Sequence, residues 1–313
     1  MDSRVLSSLP AFVVPYAELT RMVHLPVGTV IPYFPVLIAI LHVAAVAHLD
    51  ASHVLTCCLK WLVLSSLYSA YGCVVDDIAD KDLDSKVERC QNRPLVRGAI
   101  SMTAACIFAT TIMAINTNVT LSFFPSQPAI HVPITIVCPV IYPFLKRFTH
   151  YALLYLALLY TVTAFNASRT VGFDVWTNDA ANAHAIRLSS LFLNASVFIA
   201  NLTVETIYHH ADLADDLKAG IKTVAVRIRG FAKPVLYMLA LLYPVLLVAT
   251  GTMAEFGKYY FTGAACSAAL LFTLVARVDL TVPRMCEVYF FIGNIGVMAL
   301  LAGGLFAEFR FAV

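Results

Sequence analysis

Long apolar runs dominate the chain, and short polar segments separate them. A helix needs about 20 apolar residues to cross a hydrocarbon layer about 30 Å thick. The runs are continuous rather than alternating, which argues against strands. They predict about nine transmembrane helices, at residues 26–48, 52–75, 100–122, 129–145, 150–168, 186–208, 232–251, 260–278 and 285–307. The pattern therefore predicts an all-α integral membrane protein.

Composition supports a lipid environment. Of the 313 residues, 60% are hydrophobic and only 13% are charged, and the mean hydropathy is +0.81. A soluble domain carries about 25% charged residues, so this chain has too few charges to cover a surface that faces water. The sequence contains no linker and no low-complexity tract, so we expect a single domain over residues 1–313.

The placement of basic residues predicts the orientation in the membrane. With nine spans, the N-terminus and the loops after spans 2, 4, 6 and 8 lie on one side. About 16 of the Lys and Arg residues fall on that side, against about four on the other. The positive-inside rule then assigns these loops to the cytosol. The N-terminal segment lacks an Arg-rich amphipathic stretch, so we expect the endoplasmic reticulum or another endomembrane rather than the mitochondrial inner membrane.

A first acidic segment, residues 76–84, follows span 2 and reads DDIADKDLD. Asp76, Asp80 and Asp84 recur at every fourth position, which places them on one face of a helix. Like charges at this spacing repel each other, and a divalent cation would remove that repulsion. Mg²⁺ prefers oxygen ligands and often joins carboxylates to substrate phosphates. A solvated polar loop between two spans is the alternative interpretation.

A second acidic segment, residues 212–216, follows span 6 and reads DLADD. Asp212 and Asp216 share a helical face. Spans 2 and 6 both end on the predicted cytosolic side, so the two acidic segments can face each other across one central cavity. Arg89, Arg93 and Lys222 follow these segments and suit direct contact with phosphate oxygens. This arrangement favours a polyanion held by a bridging metal.

Three segments in order along the chain resemble the signatures of UbiA-type membrane prenyltransferases. The first is GCVVDDIADKDLDSKVERCQNRPLVRGAIS, the second is IYPFLKRFT, and the third is TIYHHADLADDLKAGIKTVAV. A weaker match is the Pro-x-Gly of residues 26–28 in the first span. Together these segments extend over most of the chain, and the resemblance implies nine helices around a central cavity.

The resemblance also implies residue roles. It makes five aspartates the catalytic ligands of Mg²⁺ and diphosphate: Asp77, Asp80, Asp84, Asp212 and Asp216. It assigns substrate-binding positions to seven further residues: Asp76, Asp215, Lys222, Arg89, Arg93, Lys146 and Arg147.

Some positions depart from the family pattern. Asp76 stands where the family usually has Asn, and Glu205 stands where it usually has Asp before Thr-Ile-Tyr. Leu153 and Thr161 replace polar family residues in span 5, and Arg21 lies one residue further from Pro26 than the usual family Arg. The expected metal ligands are untouched, whereas the part of the site that would hold a second substrate is altered.

The activity that the resemblance implies is Mg²⁺-dependent transfer of an isoprenyl group to an aromatic, phenolic acceptor. The donor would be farnesyl or geranylgeranyl diphosphate, and no nucleic acid is expected as a partner. The alternative is a membrane-bound terpene cyclase in which the prenyl chain's own double bond is the nucleophile; the literal DDxxD string and the loss of polar groups in span 5 favour it. A carrier or channel without catalysis would not need two opposed acidic clusters.

Overall fold

Every regular element that the structure, a computed structural model, describes is helical, and the described residues are 6–22, 26–125, 128–172 and 183–312. The α-helices in chain order are α1 (Val14–Leu19), α2 (Ile31–Val46), α3 (Ala51–Asp84), α4 (Met102–Phe123), α5 (Pro128–Phe148), α6 (Ala152–Thr170), α7 (Ala183–His209), α8 (Leu213–Ala219), α9 (Val224–Ile228), α10 (Ala232–Met253), α11 (Lys258–Arg277), α12 (Pro283–Ile292) and α13 (Met298–Phe311). The prediction of an all-α protein is confirmed.

Within these described ranges, 7 helical stretches are long and apolar enough to cross a membrane. They are Gly28–Val46, Ala51–Asp84, Met102–Phe123, His184–Ala219, Ala232–Met253, Lys258–Arg277 and Pro283–Phe311. The predicted spans at 129–145 and 150–168 coincide with α5 and α6, which are helical but are not among the seven. The protein is therefore an integral membrane protein, and the predicted count of nine is approximate.

Helix α3 differs most from its predicted bounds, because it continues from residue 75 to Asp84 and carries the whole first acidic segment. Its apolar face explains the extension. Val74 is fully buried and Ile78, one turn further on, packs against the same hydrophobic cluster. Apolar residues at helical spacing thus hold the acidic segment in the helix.

The predicted last span, 285–307, is divided into α12, a π-helical turn at Gly293–Val297, and α13. The side chain of Asn294 donates from Nδ2 to the Phe290 carbonyl at 3.2 Å. A polar side chain that bonds to a carbonyl one turn back competes with the regular backbone ladder. The hydrogen bond from Asn294 to Phe290 therefore accompanies the π-helical turn at Gly293–Val297.

Two compact units make up the fold. Unit 1 comprises Met1–Tyr33, Leu62–Tyr155 and Asp212–Arg227, and unit 2 comprises Phe34–Trp61, Leu156–Ala211 and Ile228–Val313. Each unit draws on segments distant in sequence. The assignment of residues 1–313 to one domain stays a prediction.

The core of unit 1 packs α3 against α4 and the segments around them. Tyr71 and Val74 of α3 belong to the same buried cluster as Leu95 and Ala105. The Tyr16 ring meets the Phe108 ring edge to face, with 4.9 Å between the centroids. This cluster fixes the half of α3 that bears the acidic segment.

In unit 2, α11 and α13 approach closely through glycines. A Cβ atom added to Gly263 would lie 2.5 Å from the Cα of Gly304. Membrane helices that lack strong hydrophobic attraction to each other associate through such small residues. Nearby, the Glu308 carboxylate of α13 accepts the backbone N–H groups of Gly257 at 2.5 Å and Tyr260 at 3.0 Å, which caps the start of α11.

We expect Gly263→Ala to lower the free energy of unfolding by roughly 1–3 kcal/mol, because an overpacked contact must separate the two helices. The measurement is the melting temperature of the purified protein in detergent. Gly303→Ala is the matched control, because a Cβ there meets nothing within 4 Å. Its expected effect is neutral to slightly stabilising, since Ala is the better helix former. Equal effects of the two substitutions would contradict close packing at Gly263.

Candidate active site

The carboxylates of α3 are buried rather than solvated. Asp77 is 1% exposed, Asp80 is 3% exposed and Asp84 is 7% exposed. Burying an ionised carboxylate is costly unless it gains charged or hydrogen-bonding partners. The alternative of a solvated polar loop is therefore wrong for these three residues, and their partners determine what the site can do.

Two arginines neutralise Asp77 and Asp84. The Arg21 guanidinium lies 2.7 Å from Asp77 Oδ1, and that of Arg93 lies 3.0 Å from the same oxygen. Arg93 also donates to Asp84. Burial alone would lower the pKa of the Arg93 guanidinium, but Asp77 and Asp84 outweigh that effect and raise its pKa. The two carboxylates therefore stabilise the charged form of Arg93.

Lys146, at the end of α5, neutralises Asp76 and Asp80. Its Nζ lies 3.0 Å from Asp76 Oδ1 and 2.6 Å from Asp80 Oδ2. The same ammonium sits 4.8 Å from the centroid of the Tyr142 ring, within range of a cation–π contact. One lysine thus holds two carboxylates a helical turn apart.

Within the described part of the chain, two buried carboxylate oxygens, Asp77 Oδ2 and Asp80 Oδ1, have no hydrogen-bond partner. Unsatisfied buried polar atoms are rare and indicate an interaction that the protein alone does not supply. Among the described residues, no three His, Cys, Asp or Glu side chains are grouped so as to hold a metal by themselves. Mg²⁺ usually takes one or two carboxylates and completes its shell with waters and substrate phosphates. Two available carboxylate oxygens, without a closed set of protein ligands, are therefore what a Mg²⁺ site requires.

The second acidic segment is bound to the loop that follows the first. Arg89 donates to both oxygens of Asp212, from Nε at 3.0 Å and from Nη2 at 2.6 Å. Asp216 is buried, and its Oδ2 accepts the Thr223 hydroxyl at 3.1 Å. The contact between Arg89 and Asp212 brings the two predicted acidic segments together within unit 1.

Other predicted site residues have different contacts. Arg147 binds the exposed Asp82 through two bonds, at 2.6 and 2.9 Å, and donates to the Ala79 carbonyl at 2.6 Å. The Lys222 ammonium lies 3.4 Å from the Phe148 carbonyl oxygen and is exposed. Neither cation contacts the three buried aspartates of α3 in the described part of the chain.

Arg21 is a site residue that the sequence prediction missed. Its backbone adopts a left-handed conformation, with φ at 55°. Its carbonyl oxygen lies so near Gly28 that a Cβ there would be 2.7 Å away. Burial would lower the pKa of Arg21, but Asp77 offsets this and raises it. The only signal in the sequence was a basic residue shortly before the Pro-x-Gly of residues 26–28.

Sequence comparison identifies the family. The profile of the UbiA prenyltransferase family matches residues 33–295, and the chain belongs to this family. Prenyltransferase ascA of Acremonium egyptiacum is 31% identical over 277 residues, which are 88% of this chain and 80% of that protein. The mitochondrial 4-hydroxybenzoate polyprenyltransferase of Schizosaccharomyces pombe is also 31% identical over 277 residues, covering 88% of this chain and 74% of its own. The resemblance drawn from the motifs is confirmed, and the protein is an enzyme of the prenyltransferase class.

Solved structures share the fold. A UbiA homologue from Aeropyrum pernix K1, determined without ligand, superposes with a TM-score of 0.71 at 18% identity, over 88% of this chain and 97% of its own. A UbiA homologue from Archaeoglobus fulgidus bound to GPP and Mg²⁺ gives a TM-score of 0.57 at 15% identity, over 91% and 99% of the two chains.

We expect Arg93→Met to lower the free energy of unfolding by roughly 3 kcal/mol, because it removes a shared partner from two buried carboxylates. The melting temperature in detergent measures this loss. Arg97→Met is the control, since Arg97 pairs with Glu18 at a more exposed position, and its loss should stay below about 1 kcal/mol. A loss at Arg93 no larger than that at Arg97 would show that the buried pairs contribute little.

Proposed function

We propose that this protein transfers an isoprenyl group from a polyprenyl diphosphate to an aromatic, phenolic acceptor in a Mg²⁺-dependent reaction. Two comparisons support the proposal: one relative is named for 4-hydroxybenzoate, a phenolic acid, and one structural neighbour is bound to GPP and Mg²⁺. The observation that carries it is the pair of buried carboxylate oxygens without partners, on Asp77 and Asp80.

Asp77 and Asp80 would hold Mg²⁺ from the first acidic segment, together with Asp84. Asp212 and Asp216 would act from the second segment, which Arg89 ties to the first. Bound Mg²⁺ would neutralise the charge that develops on a departing diphosphate.

The basic residues of the site would bind the diphosphate oxygens directly. Arg93 and Arg89 are the strongest candidates, because a guanidinium can donate two parallel hydrogen bonds to a phosphate as it does to a carboxylate. Both arginines already contact aspartates of the site. Lys146 would act as a third cation near Asp76 and Asp80. The contacts of Lys222 and Arg147 give less support to a direct role for them.

In the proposed reaction, the bond between the allylic carbon and the diphosphate oxygen breaks, and diphosphate leaves with the electron pair. A carbon of the aromatic ring attacks the allylic cation, and the ring then gives its proton to a base, such as the released diphosphate, and regains aromaticity. Arg93 and Arg89 would stabilise the negative charge on the leaving group as it grows. The apolar surroundings would keep water from the cation.

The test is an assay on membranes that contain the protein, with Mg²⁺ and farnesyl or geranylgeranyl diphosphate, with and without phenolic acids. We expect a prenylated aromatic product only when an acceptor is present, and no product in EDTA. A hydrocarbon released without acceptor would overturn the transferase proposal in favour of the terpene cyclase.

Asp80 and Asp82 lie on the same turn of α3, so substitutions at these two positions can be compared directly. Asp80→Ala removes a buried carboxylate with a free oxygen and should lower kcat/KM by about a hundredfold or more, which corresponds to several kcal/mol of charge stabilisation. Asp82 is 61% exposed and pairs with Arg147 outside the cluster, so Asp82→Ala should keep most of the activity. Similar losses in the two variants would contradict the metal-binding role of Asp80.

We infer that the protein lies in the membrane of the endoplasmic reticulum or another endomembrane. We also infer that both acidic segments face the cytosol. The contact between Arg89 and Asp212 requires the two segments to lie on one side, and the excess of basic residues there favours the cytosolic side. Cysteines introduced as Ser85→Cys and Lys218→Cys should react with an impermeant reagent from the cytosolic side alone, in membranes that fractionate with the endoplasmic reticulum. Labelling of the two positions from opposite sides would refute the topology, and mitochondrial fractionation would refute the compartment.

A further inference from the structure

Asp215 of the second acidic segment has contacts unlike those of its neighbours. Its Oδ2 accepts the backbone N–H of Glu88 at 3.1 Å, across 127 positions of sequence. Glu88 begins the short 3₁₀ turn Glu88–Cys90, and the residue before this turn, Val87, supplies no side-chain cap. The first N–H groups of a helical turn need an acceptor from outside the turn. Asp215 provides that acceptor from the other acidic segment.

The turn that Asp215 caps also carries Arg89, whose guanidinium binds both oxygens of Asp212. Beneath these polar contacts, Val87 and Cys90 form a buried apolar cluster with Ile221. We call the set formed by the Asp215–Glu88 bond, the Arg89–Asp212 pair and this apolar cluster the inter-motif clasp. All of its members belong to unit 1.

Gly220 allows the chain to turn at the end of α8 toward the inter-motif clasp. It ends α8 in the left-handed region, with φ at 68°, where a side chain would be strained. The chain then turns back, so that the Ile221 N–H donates to the Asp216 carbonyl at 2.9 Å. Ile221 thereby reaches Val87 and Cys90, and Ala219 of α8 packs against the same cluster.

The two oxygens of Asp215 also differ from those of the buried aspartates. Oδ2 faces the Glu88 amide, and Oδ1 lies 3.5 Å from the Lys218 ammonium, which is itself largely exposed. Asp77 and Asp80, in contrast, each have one buried oxygen that meets no hydrogen-bond partner in the described ranges. Asp215 thus has protein donors on both oxygens, as Asp212 has through Arg89. A guanidinium can turn from Asp212 to a ligand, whereas the backbone N–H of Glu88 cannot leave its turn, and this difference sets Asp215 apart from Asp212.

We propose that Asp215 is a positioning residue, which caps the Glu88–Cys90 turn and thereby holds Arg89 against Asp212, and that it does not bind Mg²⁺ or diphosphate itself. The inference rests on the proposed function for the roles of Arg89 and Asp212. It reassigns Asp215 from the substrate-binding group that the family resemblance implied.

The first test compares two substitutions in the membrane assay. Asp215→Asn keeps an oxygen that accepts the Glu88 N–H, so kcat/KM should stay within about twofold of the wild-type value. Asp215→Ala removes the acceptor and should lower kcat/KM about tenfold, as expected for a lost charge-assisted hydrogen bond, mainly through a higher KM for the diphosphate. The Mg²⁺ concentration for half-maximal rate should be unchanged in both variants. If Asp215→Asn is as damaging as Asp215→Ala and needs more Mg²⁺, Asp215 is a ligand and the proposal fails.

The second test needs no activity, so it separates a failure of this inference from a failure of the proposed function. Cys90 lies in the clasp, is 3% exposed, and burial raises the pKa of its thiol to about 11. Alkylation depends on the thiolate and on access, so it should be slow in the wild type. Opening of the clasp in Asp215→Ala should speed alkylation of the Cys90 peptide, measured by mass spectrometry, at least about fivefold, while Asp215→Asn should not.

Lys218→Met is the matched control for both tests. It removes the other charged contact of Asp215 and leaves the bond to Glu88 in place, so both kcat/KM and Cys90 alkylation should match the wild type. If Asp215→Ala leaves Cys90 alkylation at the wild-type rate, or if Lys218→Met reproduces the effects of Asp215→Ala, Asp215 does not cap the turn in the sense proposed.

Discussion

The pairing of buried carboxylates on α3 with cations from three other segments is the constraint on which the rest of unit 1 depends. Aspartates one turn apart on a helix repel each other, and burial strengthens that repulsion because the surroundings are less polar than water. Arg21 comes from the segment before α2, Arg93 from the loop after α3, and Lys146 from the end of α5. Each segment is therefore held to α3 by charge as well as by packing.

The need of buried carboxylates for cationic partners also explains where the aspartates lie. A charge in the middle of a membrane-crossing helix is expensive, and the acidic residues of α3 are confined to its final turns, after the apolar part of the span. There the helix continues because Val74 and Ile78 remain in the core, while its other face turns to the cations. The apolar cluster and the ion pairs thus use different sides of one short length of helix.

Much of this arrangement was predictable from local pattern, and the remainder depends on contacts between distant residues. Apolar runs located the helices, and the spacing of Asp76, Asp80 and Asp84 predicted one acidic face. The sequence could not show that α3 continues past residue 75, because the charges there conceal the apolar positions that keep the helix in the core. The spacing placed Asp80 but not Asp82 on the acidic face, but it could not show that Lys146 of α5 pairs with Asp80 while Arg147 pairs with the exposed Asp82.

The basic residues illustrate the same limit. Arg89 and Arg93 were predicted from their place after the acidic segment, and both contact aspartates. Lys222 was predicted on the same grounds but contacts a carbonyl oxygen, whereas Arg21, which was not predicted as a site residue, binds Asp77. Proximity in sequence to an acidic segment identifies a candidate cation, but the path of the backbone decides which carboxylate it meets.

The distribution of partners over individual oxygens connects the stability of the site to its chemistry. On Asp77, Oδ1 is shared by Arg21 and Arg93, and on Asp80, Oδ2 binds Lys146. The other oxygen of each carboxylate has no partner among the residues that the structure describes. If both oxygens were bonded to protein donors, a ligand would have to break an ion pair before it could bind. If neither were, the buried charges would destabilise the fold. One bonded oxygen fixes each side chain and offsets its charge, and the other is left for a metal or a substrate.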